Sequence, residues 1–366
     1  MFSLAFNDRV MGLLRSGRPA GARFAAAHAR ALLTTVAALA GCADKTDAEF
    51  RTEVAIAMQA SITQDLGDLV VAACNLQAAA PSRAWNPTTD RAAIRQMIDA
   101  WKRTRMAWER VEGAVAPLFP DLNATMDARY EELLAAAGGD RNPFDGHGVV
   151  GMHAIERILF APDIRPEVVA FERTLPGYRA AAYPATDNEA IAFKFQLVQR
   201  LIDDATELTT CWEPGDFNVG AAYQGLAGLM QEQQDKIDLA ASGNEESRYA
   251  NFTLFDLRNN LAGTERAYQL FRSWIRTHAS AERADQTILD RFTLLAQAYD
   301  TSGGDALPQV PADWSSDHPS ADALDTPFGT LWRQIRQSVD PSSNGSVVYE
   351  MNRIAVLLGI PEFVER

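Results

Sequence analysis

Apolar residues recur along most of this 366-residue chain at the three- and four-residue spacing of amphipathic helices. Alternating β-branched and aromatic runs, which would indicate strands, are nearly absent. Helices are predicted over residues of about 46–79, 90–115, 124–137, 147–160, 188–210, 217–241, 246–277, 283–300, 326–338 and 346–357. The pattern therefore predicts an all-α fold of helical bundles packed side by side.

Two long stretches interrupt the helical pattern: residues 161–190, which contain four prolines, and residues 301–327, which are rich in Gly, Pro, Ser and Asp. The first lies near the middle of the chain. We therefore expect a first helical bundle over 42–165 and a second over 166–366, after a leader over 1–41.

The leader has a composition of its own. It carries five arginines and one acid, Asp8, and then turns apolar in "ALLTTVAALAG". A charged start followed by a short apolar run is typical of an export signal. The run ends in "LAGC" at 39–42, which resembles the lipobox of bacterial lipoproteins, so we expect lipid on Cys42. The alternative is a chance cysteine after an Ala-rich cytosolic helix.

Charge narrows the range of partners. The formal net charge is −14, and loss of the leader's five arginines and one aspartate would take it to −18. Such a surface repels nucleic acid and attracts cations. Cys74 and Cys211 would remain; they could pair in an oxidising periplasm, but their apolar helical surroundings favour buried thiols.

Charged residues occur where the second long helix should be apolar. Its apolar stripe consists of Ile94, Met97, Ile98, Trp101 and Trp108. Arg105 and Glu112 fall on the same stripe, so a carboxylate is directed into the bundle. A buried carboxylate must be paired, protonated or bound to a metal. An Arg105–Glu112 ion pair is the alternative to a metal, and Asp127, which follows at a turn, could equally be a helix cap.

The stretch "GHGVVGMHAIERILF" at 146–160 places His153 and Glu156 three residues apart on one helix face. Both side chains could reach one ion, since imidazole and carboxylate are ordinary ligands for iron, zinc or copper. A hydrogen-bonded structural pair is the alternative. Zinc peptidase helices carry a second histidine, whereas position 157 here is Arg, so the hydrolytic pattern is incomplete.

Three segments in order resemble the imelysin-like family. "GMHAIERILF" is similar to its Gly-x-His-x-x-Glu signature, "RMAWERVEGAVAPLFPDLNATMDAR" to the segment before it, and "EESRYANFTLFDLRNNLAGTERAY" to a later motif. The family includes imelysin-type periplasmic proteins and the iron-uptake component of bacterial ferrous-iron transport systems. The resemblance implies two helical bundles about a pseudo-twofold, with a metal, most simply iron, held at their junction.

Carried over by position, the resemblance implies metal ligands and a surrounding cleft. The expected ligands are Glu112, Asp127, His153 and Glu156. Arg105 and Arg157 would act as counter-charges, and Thr253, Asp256 and Asn260 would line the cleft.

The leading hypothesis is a periplasmic, lipid-anchored metal-binding protein in iron acquisition. Iron is the expected ion, with copper or zinc as alternatives. The expected partners are the membrane, through Cys42, and an iron permease or outer-membrane receptor. Two other hypotheses stay open: a metallopeptidase of the imelysin type and a metal-free surface lipoprotein.

Overall fold

A computed structural model describes residues 45–212, 218–240 and 243–364, and these residues contain helices and loops without a β-strand. The predicted leader and Cys42 lie outside the described residues. Within the described ranges, no helix is both long and apolar enough to cross a membrane. The all-α prediction is confirmed.

The helices have the following bounds: α1 Asp47–Ala79, α2 Arg91–Glu109, α3 Glu112–Val115, α4 Pro120–Asp127, α5 Tyr130–Ala137, α6 Gly151–Leu159, α7 Pro166–Glu172, α8 Asp187–Ala192, α9 Val198–Cys211, α10 Val219–Leu239, α11 Thr253–Ile275, α12 Glu282–Ser302, α13 Ala321–Leu324, α14 Pro327–Val339 and α15 Val347–Leu357. A single π-helical turn, Phe193–Leu197, joins α8 to α9.

Packing between helices creates a continuous core. α1 packs along α2 and α9, and α10 packs against α3, α11, α14 and α15. α11 also contacts α1 and α2, so it lies between the earlier and the later helices. α9 follows the predicted bundle boundary at 165 yet packs on α1, α4 and α6. The division into two bundles stays a prediction.

Two predicted helices are interrupted where the polar residues gather. The predicted helix 90–115 ends at Glu109 and resumes at Glu112. The carbonyl of Arg110 in this break packs against Gly263 of α11, where an added Cβ would lie 2.2 Å from the carbonyl oxygen. The predicted helix 246–277 begins only at Thr253. Turns precede it, and Asn251 has a left-handed φ of 57° that a helix could not contain.

The two described cysteines differ from the expectation that they are buried. Cys74 and Cys211 are unpaired and exposed, so the interpretation as buried thiols is wrong. On α1 the inward stripe is formed by Leu69, Ala73 and Leu76, and Cys74 lies beside this stripe on the solvent side.

Candidate metal centre

The start of α6 is pressed against the end of α4. Gly151 has a φ of 84°, and an added Cβ would lie 2.5 Å from the carbonyl oxygen of Thr125 and 2.6 Å from that of Met126. Only glycine combines this backbone conformation with so close an approach. The contact brings His153, two residues into α6, beside Asp127 at the end of α4.

Glu156 holds the imidazole of His153. Its Oε1 accepts hydrogen bonds from the backbone N–H groups of Tyr249 and Ala250, both at 2.9 Å. Its Oε2 lies 2.8 Å from Nδ1 of His153. The carboxylate can only accept, so Nδ1 carries the proton and Nε2 is the ring atom left for another partner.

Nε2 of His153 faces two further carboxylates. It lies 3.3 Å from Oε1 of Glu246 and 3.5 Å from Oδ1 of Asp127. The three residues each offer a ligand atom within 4.8 Å of the other two. The side chain of His153 is 2% exposed, that of Glu246 12% and that of Asp127 6%. Trp108 fixes Asp127 by donating from Nε1 to Oδ2 at 2.7 Å.

A buried guanidinium supports this group. Arg105, on α2, forms ion pairs with Glu109 and with Oδ1 of Asp127. Its NH2 group lies 3.3 Å from Oε1 of Glu246 and 3.5 Å from Oδ2 of Asp256. One cation therefore positions four carboxylates, supplied by α2, α4, the turns before α11, and α11 itself.

A second group of carboxylates adjoins the first. Glu109, Glu112 and Asp127 also offer ligand atoms within 4.8 Å of one another, so Asp127 belongs to both groups. Asn260 donates to Oε2 of Glu112 at 3.0 Å and to the backbone carbonyl of Glu109 at 3.1 Å. Lys236 lies 3.6 Å from Oε2 of Glu112 and 3.7 Å from Oε2 of Glu109.

Negative groups outnumber positive ones in this buried volume. The acids are Glu109, Glu112, Asp127, Glu156, Glu246 and Asp256. The permanently charged bases are Arg105 and Lys236. Carboxylates in excess of their counter-charges must bind protons or another cation.

The pKa shifts favour the protonated forms of Glu112 and His153 and the charged form of Glu246. Burial raises the pKa of Glu112 to about 8 and that of Asp256 to about 6. Burial opposes the charged imidazole of His153, but the hydrogen bonds that the imidazole donates to Asp127, Glu156 and Glu246 outweigh it and raise its pKa well above the usual value. Burial likewise opposes the charge of Glu246, yet Lys236 and His153 hold its pKa well below the ordinary range.

The cluster opens to solvent on one side. A cleft of about 410 Å³ is lined by residues that include Glu112, Asp127, Glu232, Asp235, Lys236 and Glu246. An ion could therefore reach Asp127 and Glu246 without unfolding of the surrounding helices.

The structure brings most of the predicted site residues together. Those in the cluster are Arg105, Glu112, Asp127, His153, Glu156, Asp256 and Asn260. Arg157 lies apart from it, because it pairs with Glu172 and stacks on the Tyr130 ring. Thr253 is buried at the start of α11, and its hydroxyl makes no hydrogen bond within the described part of the chain.

Sequence reasoning missed Glu109, Lys236 and Glu246. Glu109 lies four residues after Arg105, and this spacing on a helix was a usable signal. Glu246 lies in turns that were predicted as helix, and Lys236 is in an otherwise polar stretch of α10. For these two residues no local pattern distinguishes a buried charge from an exposed one.

Fold and site together define an all-helical protein with a partly open cluster of one imidazole and several carboxylates, suited to a cation. The family model Imelysin (Peptidase_M75) matches residues 62–326. The chain therefore belongs to the imelysin family.

Similar proteins agree with this assignment. An Efem/EfeO family lipoprotein of Staphylococcus haemolyticus is 23% identical over 207 residues, which are 56% of this chain and 59% of that protein. The iron uptake system component EfeO of Escherichia coli is 26% identical over 171 residues, 46% of this chain and 35% of that protein. The matches thus span little more than half of one relative and about a third of the other.

The fold has a solved counterpart. An imelysin-like protein from Psychrobacter arcticum 273-4 superposes with a TM-score of 0.57 at 11% identity. The alignment covers 87% of this chain and 98% of that protein, so the likeness extends over nearly all of the helical architecture.

Proposed function

We propose that this protein binds a metal ion at Asp127, His153 and Glu246 and serves iron acquisition. The observation that carries the proposal is the imidazole of His153, which is fixed through Nδ1 by Glu156 and directs Nε2 toward two carboxylates. A histidine held by a carboxylate on its far nitrogen is a recurring arrangement in metal sites.

The proposed ligands differ in part from those expected from the sequence. Asp127 and His153 are retained, and Glu246 joins them. Glu156 is assigned to orient the imidazole, because its Oε2 contacts Nδ1, the ring nitrogen opposite Nε2, and its Oε1 accepts from two backbone N–H groups. Glu112 belongs to the adjoining carboxylate group.

Iron is the proposed cargo. One imidazole with carboxylate oxygens suits iron better than a metal that prefers thiolates. The names of the two relatives, an Efem/EfeO family lipoprotein and an iron uptake system component, support the same assignment.

Calorimetric titration of ferrous iron under nitrogen tests the proposal. The wild-type chain from Ala43 should bind one equivalent, and His153→Ala should lose most of the affinity because the sole imidazole ligand is gone. His318→Ala removes an exposed histidine outside the cluster and should bind like wild type. Equal binding by all three proteins would overturn the proposed site.

We further propose export and lipid attachment at Cys42. The support is the leader composition with "LAGC" at 39–42 and the lipoprotein name of the Staphylococcus relative. Metabolic labelling with a radioactive fatty acid should mark the wild type and not Cys42→Ser. Delivery of the ion to an iron permease or outer-membrane receptor is the corresponding proposal for a partner.

A further inference from the structure

A buried ammonium group lies among the carboxylates of the adjoining group. Nζ of Lys236 donates to Oδ1 of Asn260 at 3.1 Å. It also lies 3.6 Å from Oε2 of Glu112, 3.7 Å from Oε2 of Glu109 and 3.8 Å from Oε2 of Glu246. The lysine side chain is only 6% exposed, so these oxygens replace most of the water that an ammonium ion would otherwise hold.

The oxygens around Lys236 are of the kind that hard divalent ions prefer. Glu109, Glu112 and Asp127 have ligand atoms within 4.8 Å of one another, and Asn260 supplies an amide oxygen beside them. Oε1 of Glu109 is engaged by the ion pair with Arg105. Nζ of Lys236 lies 3.7 Å from Oε2 of Glu109, 3.6 Å from Oε2 of Glu112 and 3.8 Å from Oε2 of Glu246, beyond hydrogen-bond distance, so these oxygens keep ligand capacity that the ammonium does not use.

Lys236 also connects the two groups. Oε2 of Glu246 faces Lys236, whereas Oε1 of the same carboxylate faces Nε2 of His153. Asp127 contributes a ligand atom to both groups. Without a positive charge at Lys236, two cations could be held side by side, with Asp127 between them.

We propose that Lys236 is a fixed internal cation that occupies the position of a second metal ion and thereby limits the cluster to one. The proposal rests on the proposed function for the first ion alone. What this proposal adds is a latent second site at Glu109, Glu112 and Asp127, and its support is the contact of Lys236 with Glu109 and Glu112. The lysine is covalently attached, so it neutralises these acids without being lost to a chelator.

Counting bound ferrous iron in four proteins tests this proposal. Wild type, His153→Ala, Lys236→Ala and the double variant are loaded under nitrogen, desalted and assayed for iron. One, zero, two and one equivalents are expected, respectively. Glu112→Gln in the Lys236→Ala background should return the count to one, because it removes a ligand of the second site.

The outcomes separate the two proposals. Counts of zero, zero, one and one would refute iron binding at His153 and retain the role of Lys236. If Lys236→Ala gains no iron over its parent, the lysine is only a structural counter-charge and the inference fails.

Folding is controlled within the same experiment. Removal of the ammonium leaves Glu112 without its cation and Glu109 with Arg105 alone, so Lys236→Met, of similar length and no charge, is measured in parallel. Circular dichroism with and without iron is recorded for each variant. A latent site predicts that iron raises the melting temperature of the Lys236 variants more than that of wild type, and an equal rise would contradict it.

Discussion

Glu156→Gln tests the orientation of His153 with almost no change in side-chain shape, and a charge-matched control accounts for the lost negative charge. The backbone N–H groups of Tyr249 and Ala250 both donate to Oε1 of Glu156, so the glutamine must place its oxygen there. The opposite orientation would leave two buried donors unsatisfied, at about 1–3 kcal/mol each. The glutamine NH2 group therefore faces Nδ1 of His153, which must then accept, and the ring proton moves to Nε2.

A protonated Nε2 cannot bind a metal, so the ring must return to the other tautomer for the ion to bind. In that tautomer the Nδ1–H group of His153 faces the glutamine NH2 group, so two donors meet and one hydrogen bond is lost, at about 1–3 kcal/mol. The expected result is about 5- to 150-fold weaker iron binding.

Anaerobic calorimetry with ferrous iron measures this loss. Glu132→Gln is the matched control, because Glu132 lines the cleft and its removal deletes one negative charge without touching His153. If Glu156→Gln and Glu132→Gln bind iron equally well, Glu156 does not set the tautomer and the reasoning is refuted.

Three further predictions concern stability and pH. Gly151→Ala should destabilise the protein by about 2–5 kcal/mol in urea unfolding, through its φ of 84° and its contact with the carbonyl of Thr125. Gly138→Ala, with a φ of 68° and no atom within 4 Å, should cost only about 1 kcal/mol, and equal losses would contradict the packing argument. Glu112 has a pKa raised from 4.5 to about 8 in the fold, so its contribution to stability is complete below pH 4.5 and is lost as the pH rises to about 8. At about 1.4 kcal/mol per pKa unit, the loss of unfolding free energy is at most about 5 kcal/mol. Glu112→Gln should reduce the pH dependence of the unfolding free energy of the metal-free protein. An unchanged pH dependence would exclude the Glu112 carboxyl as its source. Iron binding should strengthen by about tenfold per pH unit for each proton that the ion displaces. Calorimetry in buffers of different ionisation enthalpy counts the released protons, and a count of zero would contradict this prediction.

The helical pattern was sufficient to predict the fold class and the bounds of some long helices, such as α1, α10 and α12. Thr46 and Glu49 form the capping box that begins α1, and the amphipathic stripe of α2 is buried as its spacing predicts. Helix breaks were harder to predict, because tertiary contacts cause them. The break after Glu109 accompanies the packing of Gly263 on a backbone carbonyl, a contact between residues far apart in the chain.

From spacing alone, the site was predictable only where residues share one helix, and the family resemblance supplied Asp127, Asp256 and Asn260. His153 and Glu156 are three residues apart on one helix, and they are in contact as that spacing predicts. Their roles depend on groups distant in sequence. The backbone N–H groups of Tyr249 and Ala250 donate to Oε1 of Glu156. Glu246, far away in sequence, faces Nε2 of His153.

For the proposed ion, the charges of this cluster would favour release over permanent binding. Structural metal sites enclose the ion with a complete set of protein ligands. Here three donors lie beside a cleft, and Arg105 and Lys236 already neutralise part of the carboxylate charge. Each cation lowers the gain from adding a metal, while the cleft leaves coordination positions accessible. Asp127 and Glu246 border the cleft, and His153 is more deeply buried, so exchange of ligands with a receiving protein would begin at the two carboxylates.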